Sequence, residues 1–275
     1  MTRVPTLPLN DGRAIPQFGL GTWRIPAADA AQAVRAAFDL GYRHIDGATI
    51  YRNEEGVGAA IAQSGIARDE LFITTKLWNS DQGHDSALRA LDTSLSKLGL
   101  DFVDLYLIHW PCPAKGKTLE TWKALIEARA AGKVKSIGVS NFRIPDLDLI
   151  IGETGVTPVV NQIELHPWLQ QAALRDYHAA RGIVTEAWSP LAQGGELLGD
   201  PAIQAIARKH GKSAAQVVLR WHMQLGNVVF PKSSSPARIA ENIDIFDFAL
   251  DAEDMAVFVP LERGQRLGED PDLVA

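Results

Sequence analysis

With 275 residues, 46% of them hydrophobic and 22% charged, the chain can bury one large core and has an ordinary globular composition. A formal net charge of −6 argues against a broad nucleic-acid surface, and a single cysteine, Cys112, rules out an intramolecular disulfide. No stretch approaches the roughly 20 apolar residues of a membrane helix, and the opening MTRVPTLPLNDG lacks a signal-peptide core, so a cytoplasmic location is expected.

In chain order, Val4–Leu9 and Ala14–Phe18 flank Asn10-Asp11-Gly12, a turn tolerant of positive φ, and together predict a hairpin. Beyond it, short apolar runs alternate with helical stretches. Strands are predicted at Phe18–Thr22, Tyr42–Asp46, Leu71–Lys76, Val103–His109, Ser136–Ser140, Val159–Glu164, Ile183–Trp188 and Val228–Lys232. Helices are predicted at Ala27–Leu40, Glu54–Ala62, Asp85–Lys97, Leu119–Ala131, Gln171–Arg181, Pro201–His210 and Ser213–Gln224. Ser213 suits an N-cap, and Gly41, Gly132, Gly182 and Gly211 stand where helices should stop. Such alternation implies βαβ units and a parallel sheet. Eight units suggest an α/β fold closed as a (β/α)8 TIM barrel, with the hairpin plugging its bottom; an open doubly wound sheet is the alternative. No Pro-rich or Ser-rich linker divides residues 1–275, so one domain is expected, ending in a polar loop from Gly264 to Ala275.

Barrel enzymes carry their chemistry at the C-terminal ends of the strands. Here those ends read Asp46, Lys76, His109, Ser140-Asn141, Gln162 with Glu164, Trp188-Ser189 and Lys232-Ser233. Singly, each has an ordinary reading: Asp46 as a helix cap, Lys76 as a solvated strand end, His109 as a core histidine, Tyr51 as a packed aromatic. A barrel would bring them to one mouth, with Tyr51 close behind the second predicted strand. The set then makes chemical sense. A phenol with a pKa near 10 exchanges protons slowly at neutral pH, and a neighbouring ammonium helps it by lowering that pKa. A buried lysine needs a carboxylate partner to stay charged, which Asp46 would be for Lys76. His109 could orient a carbonyl oxygen by a hydrogen bond. No metal-ligand cluster stands out.

The flanks of these residues carry a resemblance. GYRHIDGATIYRNEEGVGAAI, LFITTKLW, DLYLIHWP, SIGVSNF, NQIELHP and FPKSSSPARIAEN, in that order, resemble the aldo-keto reductase superfamily, closest to bacterial 2,5-diketo-D-gluconate reductase-like members. The resemblance implies a barrel that binds NADPH without a Rossmann domain. GLG at Gly19–Gly21 and GVG at Gly56–Gly58 indeed leave the G-x-G-x-x-G fingerprint incomplete. It implies that Asp46, Tyr51, Lys76 and His109 are a catalytic tetrad reducing aldehydes, ketones or dicarbonyls, with the proton from Tyr51. Ser140, Asn141 and Gln162 would hold the nicotinamide carboxamide, and Trp188 would stack on the ring. Gly21 and Thr22, and Ser189, Leu191 and Gln193 of a pyrophosphate loop, would also touch the cofactor. Lys232, Ser233, Ser234 and Arg238 would clamp a 2′-phosphate, and Glu241 and Asn242 would meet the adenine. The clamp has its own physical basis, since cations beside a helix start suit a phosphate.

Gly47 departs from the Thr usual in close relatives and is expected to alter packing beside the tetrad. Trp188 replaces the Tyr of much of the superfamily while keeping the stacking face. The segment Cys112–Lys117 is short for a substrate loop, and Cys112 is expected only to pack. Trp23, Ile50, Trp78 and Trp110 are expected to wall the substrate pocket. A small carbonyl compound is the expected partner, diketogluconate-like or methylglyoxal-like compounds are candidates, and a monomer is expected. Two other readings are a barrel lyase or aldolase using Lys76 as a Schiff-base nucleophile, and an NADPH-sensing module without turnover.

Overall fold

The computed structural model describes residues 4–274, so Ala275 of the expected terminal loop lies outside the described residues. A hairpin of β1 (Thr6–Pro8) and β2 (Ala14–Pro16) opens the chain, with Gly12 at φ +85° in its turn. Then β3 (Leu20–Gly21) leads to α1 (Ala27–Asp39), β4 (His44–Asp46) to α2 (Glu54–Gln63) and β5 (Phe72–Leu77) to α3 (His84–Leu98). Next β6 (Val103–Ile108) leads to α4 (Thr118–Ala130), β7 (Val134–Ser140) to α5 (Ile144–Thr154) and β8 (Val160–Glu164) to α6 (Ala172–Ala180). Last, β9 (Val184–Trp188) leads to α7 (Pro201–His210) and α8 (Ala214–Gln224), and β10 (Val228–Val229) to α9 (Pro236–Ile243) and α10 (Ala252–Phe258).

The eight strands from β3 to β10 pair in chain order, each neighbour parallel. The two ends of that row also meet. Gly19 N donates to Val229 O at 3.0 Å, Val229 N donates to Gln17 O at 3.1 Å, and parallel bridges join Phe18 to Val229 and Gly21 to Lys232. The sheet therefore closes as a (β/α)8 barrel, and the open doubly wound alternative is excluded.

Helix spacing explains the outer ring. α1 buries Ala30, Ala33, Val34, Ala37 and Phe38, and α3 buries Ala87, Leu91, Ser94, Leu95 and Leu98, the three-and-four repeat of one helical face. Gly41, Gly132, Gly182 and Gly211 all take positive φ where helices stop, and the Ser213 hydroxyl accepts from Gln216 N. α5 and α10 fall where no helix is predicted. Their starts are marked not by apolar periodicity but by acidic side chains that accept backbone N–H groups: Asp146 from Arg143 N at 3.0 Å, and Asp251 from Asp254 N at 2.9 Å. The predicted strand Val228–Lys232 shrinks to two residues because Phe230 and Pro231 leave the ladder.

Strand alternation sorts the barrel interior into layers. The floor is apolar: Phe72, Leu105, Val160 and Val228 pack with Leu9 and Ile15 of the hairpin. Asn10 Nδ2 donates to Pro158 O at 2.9 Å and the Ser136 hydroxyl donates to Asp11 at 2.6 Å, fixing the hairpin under the strand starts as a plug. Two residues further along, the inward positions of β5, β8 and β9 turn polar, with Thr74, Gln162 and Glu186, while Leu107 and Phe230 stay apolar. At the mouth they become Lys76, His109, Glu164 and Trp188. Among the described residues, no helix is long and apolar enough to cross a membrane.

Candidate active site

Lys76 is wholly buried at the end of β5, yet it carries three acceptors. Its Nζ lies 2.8 Å from both Asp46 oxygens and 2.9 Å from Gly47 O. Burial works against the charge, but the Asp46 carboxylate, with further help from Tyr51 and Glu186, raises the ammonium pKa above its ordinary value. The backbone of Gly47 takes part in this shell. Its carbonyl completes the ammonium's shell, while its own N–H donates to Thr74 O at 2.9 Å. A Cβ at this position would meet Thr74 O at 3.2 Å, so glycine relieves a tight approach of β4 to β5.

Tyr51 closes a short 3-10 turn, Thr49–Tyr51, held when the Thr49 hydroxyl donates to Lys76 O at 3.0 Å. The Lys76 Nζ stands 5.3 Å from the centre of the Tyr51 ring. Its charge lowers the phenol pKa, as expected, but burial outweighs it and the net shift is upward. His109 packs nearly perpendicular to Tyr51, at 5.9 Å between ring centroids, and to Trp78, at 5.2 Å. Burial, reinforced by Lys76, holds its pKa well below the ordinary value, so the imidazole is neutral. The four expected tetrad members therefore do meet, as a buried ion pair flanked by a phenol and a neutral imidazole.

The remaining expected residues are placed unevenly around this centre. The Ser140 hydroxyl donates to Gln162 O at 2.8 Å, and Asn141 Nδ2 donates to His109 O at 3.0 Å, so both sit beside the tetrad. Asn141 adopts φ +63°, and its Oδ1 accepts from Trp188 Nε1 at 2.8 Å, which fixes the indole. Gln162 Nε2 donates to Asp46 Oδ1 at 2.9 Å and to Glu186 Oε2 at 2.8 Å, leaving its carbonyl oxygen as the free end. Gly21 lies against the backbone of Phe230, where a Cβ would come within 2.8 Å of the carbonyl oxygen. Thr22 is buried, and its hydroxyl donates to Asp46 O at 3.0 Å, so that group serves β4 rather than the mouth.

Ser189, Ala192 and Gln193 all take positive φ in the loop after β9, a strained path that also carries Leu191. Past β10, Ser233 Oγ accepts from Ser235 N at 3.0 Å just before α9. Lys232, Ser234, Arg238 and Glu241 are exposed there and Asn242 is buried. Among the described residues, neither Lys232 nor Arg238 has an ion-pair partner. Of the expected pocket wall, Trp78 and Trp110 lie beside His109. Trp23 is 39% exposed under the Arg24 guanidinium, and Ile50 is partly buried in the Tyr51 turn. Cys112 is buried, as a packing residue should be.

Three residues of the site escape the sequence reading of roles. Asn53 Nδ2 donates to Thr22 O at 2.9 Å and Ile25 O at 3.0 Å, tying α2 to the loop after β3. Glu164, fully buried, accepts from Leu267 N at 2.6 Å, Gly268 N at 3.1 Å and Arg266 at 3.3 Å, pinning the terminal loop across the mouth. A Cβ on Gly268 would lie 2.4 Å from the Trp188 ring, so a larger residue there would have to displace the indole. The third is Glu186, a fully buried carboxyl one layer below Trp188. Its only sequence signal is an acidic residue at an inward position of VTEAW.

Comparison with known proteins agrees with this geometry. The pattern of the aldo/keto reductase family matches residues 16–259. The methylglyoxal reductase DkgA of Escherichia coli (strain K12) is 50% identical over 273 residues, covering 99% of this chain and 98% of its own length. A crystal structure of an aldo/keto reductase from Brucella melitensis superposes with a TM-score of 0.92 at 60% identity, covering 95% of this chain and 99% of that one. A Gox0644 variant solved in complex with NADPH superposes with a TM-score of 0.96 at 49% identity, over 100% of both chains. The chain belongs to the aldo/keto reductase family.

Proposed function

We propose that this chain is an NADPH-dependent reductase of aldehydes, ketones and dicarbonyls, with Tyr51 as proton donor. The observation that carries the proposal is the buried Lys76–Asp46 pair beside a phenol and a neutral histidine at the barrel mouth. The names of its relatives point the same way: one is a methylglyoxal reductase and another was solved with NADPH.

The chain's own groups fit the cofactor. Exposed Lys232 and Arg238 flank the start of α9, where N–H groups and two cations suit a 2′-phosphate. Ser140, Asn141 and Gln162 converge below Trp188, a place for the nicotinamide end. Held there, NADPH would supply hydride-transfer chemistry for reducing a carbonyl carbon. His109 donates a hydrogen bond to the carbonyl oxygen and orients it. Tyr51 passes its hydroxyl proton to that oxygen, and the Lys76 ammonium stabilises the phenolate left behind. Asp46 and Gly47 O keep Lys76 charged through the cycle.

That same shell disfavours a Schiff-base role. A nucleophilic amine needs a free lone pair, and here burial is overcome by three acceptors that hold the proton. Trp78 and Trp110 give the pocket an apolar, aromatic wall, which suits a broad carbonyl range. We take residues 1–275 as one catalytic domain acting as a cytoplasmic monomer. The test is NADPH oxidation against a panel of aldehydes, dicarbonyls and keto-sugars. Tyr51→Phe should lower kcat about 10²–10⁴-fold with NADPH binding intact. Near-normal rates in that variant would remove Tyr51 from the donor role.

A further inference from the structure

The inward face of β9 carries a carboxyl that the proposed proton transfer does not use. Glu186 is fully buried, and its Oε2 accepts from Gln162 Nε2 at 2.8 Å. The same Nε2 donates its second hydrogen to Asp46 Oδ1 at 2.9 Å. Both amide hydrogens of Gln162 are therefore committed inward, between two carboxyl groups on opposite sides. Among the described residues nothing donates to Gln162 Oε1, and unlike Glu186 Oε1 that oxygen is not sealed from solvent. Turning the amide over would set its oxygen against Asp46 at hydrogen-bond distance, an acceptor facing a carboxylate, so the electrostatics fix which end points where.

We propose that Glu186 is a positioning residue: together with Asp46 it locks the Gln162 amide so that only a carbonyl oxygen faces the mouth. The inference rests on the cofactor reading above. Its chemical consequence is narrow. A locked Gln162 can accept a hydrogen bond from the nicotinamide carboxamide N–H but cannot donate one to the carboxamide oxygen. The site then reads the amide N–H of the cofactor, and Glu186 acts on binding without touching the reacting atoms. Burial, with the nearby Asp46 charge, pushes the Glu186 carboxyl up to about 8, so it is largely protonated at neutral pH. A neutral carboxyl can still accept from Gln162 without placing a second charge beside Asp46.

The test compares NADPH with its reduced 3-acetylpyridine analogue, in which a methyl ketone replaces the carboxamide and no N–H remains. Dissociation constants come from quenching of tryptophan fluorescence, with thermal melts to establish folding. Wild type should bind NADPH more tightly than the analogue. Glu186→Met, similar in volume but with only a weak thioether acceptor, should weaken NADPH binding about fivefold while leaving the analogue unchanged, so the preference shrinks. Glu186→Gln keeps an acceptor oxygen and should restore the preference. Equal losses for both ligands in Glu186→Met, or an unchanged preference, would overturn the lock. Should Glu186→Met not fold, wild type and Glu186→Gln still decide, because equal affinity for the two ligands in either overturns it. A wild-type protein that binds neither ligand refutes the cofactor reading itself, a result distinct from failure of the lock.

Discussion

The floor and the mouth of the barrel are built from the same strands a few residues apart, and they hold together by opposite means. At the floor, Phe72, Leu105, Val160 and Val228 close on Leu9 and Ile15 of the plug, and the energy is apolar area and close packing. At the mouth and the layer just below it, Lys76, Asp46, Gln162 and Glu186 form one buried hydrogen-bonded chain in which each group relies on its neighbour. The floor tolerates any residue of the right shape. The mouth tolerates loss of a whole pair better than loss of one partner, because a lone buried charge has nothing to replace water.

The largest effect should come from breaking the chain at its centre. Lys76→Met leaves the buried Asp46 carboxylate with Gln162 as its remaining partner among the described residues, and should cost about 3–5 kcal/mol in urea unfolding as well as abolishing turnover. Adding Asp46→Leu to Lys76→Met should recover part of that stability without recovering activity. If the double variant is less stable than the single one, the mouth is held by packing after all. At the floor, Ile15→Ala should cost about 2–4 kcal/mol through the cavity beneath the strands. Its kcat, measured well below its Tm, should stay near wild type. A large fall in kcat would mean that floor and mouth are coupled more closely than their separate layers suggest.

The same contrast explains what could be read in the sequence. Apolar runs alternating with helical stretches are a property of the floor and the outer ring, and they predicted eight strands in place with boundaries off by a few residues. The mouth was legible where a polar residue ends a strand, as with Asp46, Lys76 and His109. One layer down, Gln162 was legible and Glu186 was not. Glu186 lies between Thr185 and Ala187, and only the closed barrel shows that its side chain faces Gln162 instead of solvent. Glu164 stood out as a strand-end polar group, but its function in holding the terminal loop depends on residues about a hundred positions away. Gly47 read as a missing side chain, whereas what matters is its carbonyl oxygen, which every residue type has. The Tyr51 pKa was anticipated from its charged neighbour alone, and burial, which depends on the whole fold, reversed the net direction.

The smallest effect concerns acid and base, where buried histidines and the buried Glu186 act with opposite signs. His44 lies just above the floor, its ring nitrogens 3.1 Å from Pro16 O and from the Thr74 hydroxyl, and burial pushes it down to about 4. His178 and His222, behind the barrel wall, are likewise pushed down by burial, to about 4 and about 3. Between those values and the ordinary 6.5 the unfolded chain binds protons that the folded chain refuses, so their contribution is full above pH 6.5 and lost as pH falls toward 4. Glu186 has the opposite sign. From its ordinary 4.5 up to about 8 the folded chain keeps a proton that the unfolded chain has released, so its contribution is lost as pH rises through that window. Below pH 6.5 the histidines outnumber the glutamate and stability should fall with acid; from 6.5 to 8 only Glu186 of these groups acts, and stability should fall with base. Urea midpoints of the cofactor-free protein should therefore peak near pH 6.5. In Glu186→Gln the decline toward pH 8 should disappear while the decline toward pH 5 steepens. A variant curve parallel to wild type across both limbs would show that Glu186 is ionised in the folded barrel, and that the mouth holds a second charge beside Asp46.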